Sequence, residues 1–239
     1  MIPLDLRPAA SGLPSWVFDL DNTLYPASCS LFPQIDQRMK RFIAEALGID
    51  PDQAYRLQKE YYRAYGTTLR GLMVVHGLSP DTFLEFVHEI DHACLIPSAR
   101  LDAALSALPG RKLVFTNGSE KHAVAVLDRL GLSRHFEGIF DIKAAGYIPK
   151  PDPEAYATLL KAHALEARGA TMFEDLHRNL KPAHALGMTT VWVRDDTHCH
   201  APPGEEPSTF DHVHHITEDL AGWLDAAAAS RAESRAAPG

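Results

Sequence analysis

The feature that most constrains the fold is a short apolar run that ends in two closely spaced aspartates. Trp16, Val17 and Phe18 lead directly into Asp19 and Asp21, and a turn-forming segment follows. A continuous apolar run of this length is typical of a strand buried on both faces of a parallel sheet. Ligands of such sheets bind beyond the carboxyl ends of the strands. The sequence therefore predicts a strand that delivers two carboxylates to a ligand site, where their mutual repulsion favours a bound cation or a shared proton.

The pattern of an apolar strand that ends in polar side chains recurs later in the chain. Thr116 and Asn117 follow one such strand, and Glu174 and Asp175 follow another. Helical patterns separate the strands, and this alternation predicts a parallel sheet with right-handed crossovers. We therefore predict an α/β protein with a doubly wound parallel sheet and one pocket at its carboxyl edge. The later strands are predicted at 112–115, 139–142, 171–173, 190–193 and 210–215.

A helical segment interrupts this alternation directly after the first strand. Apolar residues recur there at helical spacing, and Gly48, Gly66 and Gly77 mark helix ends. Prolines that follow Asp50 and Ser79 mark helix starts. We expect a helical cap of residues 28–100 inserted into a core domain made of residues 1–27 and 101–239. The four predicted helices cover 34–47, 51–65, 68–76 and 80–90.

Two further helices carry expectations about which side chains face the core. A helix capped by Ser119 is predicted to turn Val124, Leu127 and Leu130 inward. The last helix is predicted at 220–229, and the tail that begins at Ser230 is expected to fray because it has no apolar periodicity.

Composition limits the classes of partner. The formal net charge of −8 argues against a nucleic acid polymer, which needs a basic binding face. No apolar stretch approaches the length that spans a bilayer, and the N-terminus lacks the pattern of a signal peptide. Cys29, Cys94 and Cys199 are odd in number and widely spaced, which favours free thiols in a reducing compartment. We expect a cytoplasmic protein with no membrane partner.

Four motifs in a fixed order resemble those of the haloacid dehalogenase superfamily of phosphohydrolases. They are Asp-x-Asp-x-Thr at 19–23, Thr-Asn at 116–117, Lys-Pro at 150–151 and the carboxylate pair at 174–175. The Asn-Thr-Leu-Tyr-Pro run at 22–26 and the segment 61–72 (YYRAYGTTLRGL) resemble the pyrimidine 5′-nucleotidase branch. The resemblance implies a Rossmann-like fold with a helical cap. It also implies a Mg²⁺-dependent phosphomonoesterase acting on a small phosphorylated metabolite, for which a pyrimidine nucleoside 5′-monophosphate is expected.

The resemblance also implies roles for the carboxylates of these motifs. Asp19 would be the nucleophile that forms an aspartyl-phosphate, and Asp21 would protonate the leaving oxygen and then accept a proton from water. Such an acid needs a raised pKa, and the neighbouring carboxylate is expected to raise it. Asp175 would hold Mg²⁺ together with the Asp19 carboxylate and the main-chain carbonyl of Asp21. Glu174 is expected to contact these metal-binding residues rather than the metal itself.

Further roles follow from the same resemblance. Thr116 and the amide of Asn117 would hydrogen-bond the phosphoryl oxygens, and Lys150 would neutralise charge on the phosphoryl group and on the nucleophile. Asn179 is expected to support the site, and it also suits the N-cap of a short helix. In the cap, Tyr65, Thr67 and Thr68 lie at a turn between two helices and are expected to contact the nucleobase.

Several alternatives remain open at the level of sequence. A phosphatase of another small metabolite such as a sugar phosphate, or a phosphomutase, would use the same residues. A carbon–halogen hydrolase needs neither Asp21 nor Asp175, and a phosphate-sensing protein without activity would need no complete set of motifs. The histidine-rich segment beyond residue 197 could suggest zinc, but its ligand spacing is unusual, and we favour a histidine-rich surface. The histidines concerned are His198, His200, His212, His214 and His215, with Cys199 between the first two.

Overall fold

The protein is built around one parallel sheet, as a computed structural model of residues 13–195 and 210–236 describes it. Six strands pair in the order β3-β2-β1-β4-β5-β6, and every neighbouring pair is parallel. The predicted α/β class and doubly wound parallel sheet are confirmed. The strands are β1 (Ser15–Phe18), β2 (Arg111–Phe115), β3 (Gly138–Phe140), β4 (Ala170–Glu174), β5 (Thr189–Val193) and β6 (His215–Thr217).

The central strand β1 is buried on both faces because helices cover each side of the sheet. Trp16 and Phe18 face one apolar cluster, while Val17 between them faces the other. This division follows from the alternation of side chains along a strand. The first face is covered by α5 (Ala99–Ala107), α6 (Glu120–Leu130) and α9 (Leu220–Ala236), and the second by α7 (Pro153–Ala162) and α8 (Leu180–Ala185).

The strand order reverses at β1, and this reversal places three strand ends side by side. The chain moves outward from β1 to β2 and β3, then returns to form β4 on the other side of β1. Phe18 pairs with Val114 on one side and with Phe173 on the other. The Asp19 amide continues the ladder and donates to the Phe173 carbonyl at 2.9 Å. The residues after β1, β2 and β4 therefore open onto one crevice, which is where parallel sheets bind ligands.

Four helices inserted after β1 pack around an apolar cluster of their own. Ile43, Leu72 and Val87 are fully buried in it. Asp50 accepts hydrogen bonds from the amides of Asp52 and Gln53, and the Gln53 side chain completes the predicted capping box. The helices are α1 (Leu31–Leu47), α2 (Pro51–Tyr65), α3 (Thr68–His76) and α4 (Pro80–Val87), so α1 begins three residues before the prediction and α4 ends three residues before it.

Three local expectations were wrong, and they concern the inward face of α6, the start of the last strand and the end of the last helix. Val124 is 42% exposed, because the stripe of α6 that faces the sheet consists of Ala123, Val126, Leu127 and Leu130. The last strand pairs with β5 only at His215–Thr217 rather than from residue 210.

The tail does not fray at residue 230, since α9 continues to Ala236. Alanine has the highest helix propensity of any residue, so the alanines at 226–229 favour this continuation of the helix. Within the described residues, no helix is both long and apolar enough to cross a membrane.

Candidate active site

The residues singled out at the strand ends converge on one cavity between the sheet and the inserted helices. Its volume is about 460 Å³. Each of the four motifs contributes to its wall, as the shared edge of β1, β2 and β4 predicts. The lining from the sheet side comprises Asp19, Asp21, Asn22, Thr116, Asn117, Gly118, Lys150, Glu174, Asp175, Leu176 and Asn179.

The Asp19 carboxylate lies at the end of β1 and is only 6% exposed. Lys150 Nζ binds its Oδ1 at 2.7 Å, and Thr23 Oγ1 donates to its Oδ2 at 2.9 Å. The two contacts hold one oxygen each and fix the plane of the carboxyl group. Burial, together with the nearby charge of Glu174, raises the pKa of Asp19 to about 7 despite the attraction of Lys150. Ionisation of Asp19 is therefore costlier in this site than in water.

Lys150 is buried, and its ammonium group is fully engaged by protein atoms. Its Nζ contacts Asp19 Oδ1 at 2.7 Å, Glu174 Oε2 at 2.7 Å and the Phe115 carbonyl at 2.8 Å. Burial opposes the charged form, but the two carboxylates outweigh it and raise the pKa of Lys150. An ammonium group has three protons, and all three are used here. Lys150 thus positions and neutralises the carboxylates before any ligand arrives.

Three carboxylates form the acidic side of the cavity. One oxygen from each of Asp19, Glu174 and Asp175 lies within 4.8 Å of the others. Burial and the charges of Glu174 and Asp19 raise the pKa of Asp175 well above its ordinary value. Glu174 also accepts from the Leu176 amide at 3.4 Å. Hard oxygen ligands with more negative charge than one lysine can balance fit a hard divalent cation such as Mg²⁺.

The Asp21 carboxylate is held through a single oxygen. Tyr25 Oη donates to Oδ1 at 2.6 Å, and His122 Nε2 donates to the same atom at 2.8 Å. Burial opposes ionisation, but the charge of His122 and the hydrogen bonds from His122 and Tyr25 outweigh it and lower the pKa of Asp21 to about 2. The expectation of a raised pKa was therefore wrong for this arrangement. The adjacent carboxylate of Asp19 has less effect than the imidazole that contacts Asp21.

His122 and its partner His88 were not predicted from the sequence as site residues. His122 lies in the first turn of α6 and is 1% exposed. The His88 ring stacks on it, with centroids 4.4 Å apart and planes 11° from parallel. These residues are far from Asp21 in sequence, and a histidine within a helix carries no pattern that would mark it. Only the motif Thr-Asn-Gly-Ser just before α6 indicates that its first turn lies near the site.

The polar residues after β2 organise the loop that carries Lys150. The Lys150 amide donates to Asn117 Oδ1 at 2.8 Å, and Asn117 Nδ2 donates back to the Lys150 carbonyl at 3.2 Å. Thr116 Oγ1 accepts from the Gly118 amide at 2.9 Å, so its hydroxyl proton remains available to another acceptor. Both residues line the cavity, where contacts with phosphoryl oxygens remain a prediction from the sequence.

Asn179 is buried beside the acidic cluster but does not act as a helix cap. Its side chain makes no capping hydrogen bond to α8, contrary to the expectation. Its Oδ1 is buried without a hydrogen-bond partner among the described residues, and its main-chain carbonyl accepts from Tyr156 Oη. An unpaired buried acceptor of this kind is costly and suits a bound donor such as a metal-held water.

The inserted helices supply the opposite wall of the cavity. Thr67 and Thr68 line it, but Tyr65 does not, because its ring packs edge-on against Tyr61 at 5.7 Å. Thr67 caps α3 by accepting from the Arg70 amide at 3.2 Å. The aromatic and apolar lining from these helices comprises Phe32, Ile35, Met39, Tyr55, Tyr62, Leu69, Phe83, Leu84 and Val87.

The histidine-rich segment does not form a metal site in the described part of the chain. His198, Cys199 and His200 lie outside the described residues. Among residues 13–195 and 210–236, the acidic cluster at the ends of β1 and β4 is the one group of three potential metal ligands. His212 instead contacts the His177 carbonyl at 3.0 Å, and His214 Nδ1 lies 2.7 Å from Thr190 Oγ1.

Comparison with known proteins places this geometry in context. Residues 16–187 match the family described as haloacid dehalogenase-like hydrolase. Phosphate metabolism protein 8 of Saccharomyces cerevisiae is 31% identical over 192 residues, which cover 73% of this chain but only 59% of the yeast protein. Glyceraldehyde 3-phosphate phosphatase of Methanocaldococcus jannaschii is 30% identical over 192 residues, or 74% of this chain and 83% of that protein.

A solved structure resembles the fold over nearly its whole length. It is a HAD phosphatase from Thermococcus onnurineus, with a TM-score of 0.60 and 16% identity, and the match covers 90% of this chain and 98% of that one. At this identity the likeness concerns the fold alone. The sheet and the inserted helices thus recur together in another protein.

Proposed function

The chain belongs to the haloacid dehalogenase-like hydrolase family, and we propose that it is a Mg²⁺-dependent phosphomonoesterase that works through an aspartyl-phosphate on Asp19. The observation that carries this proposal is the pair of carboxylates at the end of β1, each held in a different way. Asp19 is fixed through both oxygens by Lys150 and Thr23. Asp21, which lines the cavity, is fixed through one oxygen only, and no described residue donates to the other.

In the first step Asp19 attacks phosphorus, and the bond to the leaving oxygen breaks as the new one forms. Asp21 gives its proton to that oxygen. The free protein holds Asp21 ionised, so Asp21 first takes up a proton from solvent or from the monoanion of the substrate. The negative charge of the bound phosphate raises the pKa of Asp21 and favours this uptake. In the second step water attacks the aspartyl-phosphate, and Asp21 takes the proton from that water. Thr116 and the amide of Asn117 are placed to donate to the phosphoryl oxygens.

The acidic cluster carries the proposal of Mg²⁺. Asp19 and Asp175 would hold the ion with the main-chain carbonyl of Asp21, and Glu174 would act from behind by holding Lys150. When bound, the ion neutralises charge on the carboxylates and on the phosphoryl group. The raised pKa values of Asp19 and Asp175 support this reading, because burial and the charge of neighbouring carboxylates disfavour their ionised forms, and a bound divalent cation would favour them.

For the substrate we propose a nucleoside 5′-monophosphate, with a pyrimidine base preferred. A cavity of about 460 Å³ exceeds what a three-carbon phosphate needs and lies in the usual range for small-molecule sites. One wall offers aromatic and aliphatic side chains to a ring. Gln58, Lys59, Arg63 and Thr67 place polar groups on another part of the lining. Residues 28–100 would act as a cap that closes over the substrate. We also propose that the protein is cytoplasmic.

A second candidate is a phosphatase of a smaller phosphorylated metabolite. The observation in its favour is the similarity to the archaeal glyceraldehyde 3-phosphate phosphatase, which spans most of both chains. The same chemistry would serve either substrate, because the residues of the sheet edge act on the phosphoryl group and on the ester oxygen, which both substrates share. The carbon–halogen alternative is disfavoured, because Asp21 and Asp175 are both built into the site.

The test is a panel of phosphomonoesters assayed for inorganic phosphate with Mg²⁺ and with EDTA. It should include pyrimidine and purine nucleoside monophosphates, glyceraldehyde 3-phosphate, a hexose phosphate and an aryl phosphate. We expect Mg²⁺-dependent release with the highest kcat/KM for a pyrimidine nucleotide. A preference for glyceraldehyde 3-phosphate would support the second candidate. Absence of phosphate release from every ester would contradict the phosphatase function.

A further inference from the structure

We propose that His122 is a positioning residue for the Asp21 carboxyl group, and that His88 from the inserted helices couples this positioning to closure of the cavity. His122 occupies Oδ1 so that Oδ2 is the atom presented to the leaving oxygen of the substrate. The inference rests on the proposed function, because it concerns the acid and base role given there to Asp21.

The hydrogen bonds to Asp21 distinguish its two oxygens. Both donors, Tyr25 Oη at 2.6 Å and His122 Nε2 at 2.8 Å, reach Oδ1. Within the described residues, no protein group donates to Oδ2, although Asp21 lines the cavity. Two donors on one oxygen disfavour a proton there, so a proton that Asp21 carries resides on Oδ2. In the transfer, the Oδ2–H bond breaks and the bond to the leaving oxygen forms while the phosphorus–oxygen bond breaks.

The imidazole is rigidly placed for this contact. Because the carboxylate only accepts, Nε2 carries the proton that His122 shares with Asp21. His122 Nδ1 is buried without a hydrogen-bond partner among the described residues, so the contact with Asp21 is the ring's single polar anchor there. The first turn of α6 directs the ring, since Ser119 Oγ accepts from the His122 amide at 3.3 Å.

The inserted helices contact this arrangement through His88. It follows the last residue of α4, and its ring covers the face of His122 at 4.4 Å. His88 Nδ1 lies 2.9 Å from Ser119 Oγ, the atom that caps α6. Ser119 Oγ therefore joins the His88 ring to the main chain of His122. Space for the stack depends on Gly118, where a Cβ would approach His122 Cδ2 and Thr116 Oγ1 to 3.2 Å and His88 Nε2 to 3.7 Å.

A role in packing alone would make a different prediction from a role in proton transfer. If the histidines only hold the inserted helices against the sheet, their loss would lower the rates on all substrates by the same factor. If they orient Asp21, their loss slows esters whose leaving oxygen needs a proton and largely spares the phosphorylation step of esters whose leaving group departs as an anion. The leaving group thus separates the two roles.

The experiment compares wild type, His122→Phe, His122→Gln and His122→Asn at saturating Mg²⁺. The Phe variant retains a ring without a donor, whereas the Gln amide reaches the position of Nε2 and the shorter Asn amide does not. The substrates are the best nucleotide from the panel and p-nitrophenyl phosphate, whose first step is followed as a rapid-mixing burst of p-nitrophenolate.

We expect His122→Phe to lower kcat on the nucleotide about 100-fold, the scale of general acid catalysis, and to keep the burst rate within about threefold of wild type. His122→Gln should recover most of the loss, and His122→Asn should not. For His88→Phe, kcat on the nucleotide should stay near the wild-type value. For His88→Ala, kcat on the nucleotide should fall about tenfold while the burst rate stays unchanged. Thermal unfolding and the Mg²⁺ concentration for half-maximal activity are measured in parallel, and both should be unchanged for the Gln variant.

The positioning role would be overturned if His122→Phe lowered kcat on the nucleotide and the burst rate by the same factor, or if His122→Gln and His122→Asn had equal kcat on the nucleotide. Either result would leave the phosphatase function intact. If His122→Phe does not fold, the comparison of Gln with Asn decides alone. A wild-type protein that releases no phosphate from any ester would overturn the proposed function, and the role of His122 with it.

Discussion

Replacing Asp19 by asparagine should stabilise the metal-free protein at alkaline pH while abolishing turnover. The pKa of Asp19 is raised from 3.8 to about 7 by burial and by the charge of Glu174. A rise of about three pKa units means that ionising the buried group costs about 4 kcal/mol of folding free energy. Asparagine resembles the protonated form and avoids this cost.

Not all of this gain should appear in the measured stability. The carboxylate accepts a charge-assisted hydrogen bond from Lys150 at 2.7 Å. The pKa of about 7 already includes this attraction, but asparagine has one acceptor oxygen and cannot accept from both Lys150 and Thr23, which costs about 1–2 kcal/mol. We therefore expect Asp19→Asn to raise the unfolding free energy by about 2–3 kcal/mol at pH 8.5 in EDTA. For a chain of this size that corresponds to a rise in Tm of about 5–10 °C.

The pH dependence gives the sign of the effect. The folded-state pKa lies above the unfolded value, so the folded protein binds this proton more tightly. Wild-type stability should therefore fall as pH rises from about 4 to about 7, by about 1.4 kcal/mol per pH unit, and then level off. The advantage of Asp19→Asn should accordingly shrink to about zero near pH 5, where the wild-type group is already protonated in the folded state.

Urea unfolding followed by far-ultraviolet circular dichroism measures these differences. Asp225→Asn, on the exposed face of α9, is the matched control and should change the free energy by less than about 0.5 kcal/mol. Added Mg²⁺ should stabilise wild type more than Asp19→Asn. A variant that is less stable than wild type at pH 8.5, or a difference that does not change with pH, would refute the assignment of Asp19 as a strained buried carboxylate.

Three further predictions concern the acidic cluster, the hydroxyl that holds Asp19 and a contact of the inserted helices. Asp175→Ala should raise the Mg²⁺ concentration for half-maximal phosphate release at least about tenfold, which is more than Glu174→Gln should raise it. If Glu174→Gln has the larger effect in the metal titration, Glu174 and not Asp175 is the metal ligand. Thr23→Val removes the hydroxyl that holds Asp19 Oδ2 and should lower kcat about tenfold, whereas Thr23→Ser should retain most of it in the same steady-state assay. Asp81→Asn weakens the contacts that join α4 to Lys143 and Tyr147, which lie between β3 and Lys150. It should raise KM for the nucleotide about two- to fivefold with kcat unchanged, and an unchanged KM would show that these contacts do not influence closure.

The sheet and the edge that carries the site were predictable from the sequence for a physical reason. Apolar runs such as Trp16–Phe18 are compatible with few environments other than a strand covered on both faces. Parallel pairing then makes the residues after each strand neighbours, so the ends of β1, β2 and β4 had to meet. The inserted helices were predictable because Asp50, Pro51 and Gly66 form local signals that depend on no distant contact.

What the sequence could not supply depends on contacts between distant segments. His122 meets Asp21 across a separation of 101 residues, and its effect on the pKa of Asp21 reverses the expected direction. Tyr65 was expected to face the substrate, but its ring packs against Tyr61, one turn earlier in α2. Helical periodicity identifies a face of a helix without stating what covers that face, and Val124 was misplaced for the same reason.

The most direct test of the account is to trap the intermediate that it places on Asp19. Enzyme and Mg²⁺ are mixed with substrate and quenched in acid within one turnover, and the acyl phosphate is reduced with borohydride and mapped by peptide mass spectrometry. The account predicts homoserine in place of Asp19, and no such product from Asp19→Asn or from enzyme without substrate. Reduction at Asp21, Glu174 or Asp175, or an unmodified Asp19 peptide from enzyme that releases phosphate, would contradict it.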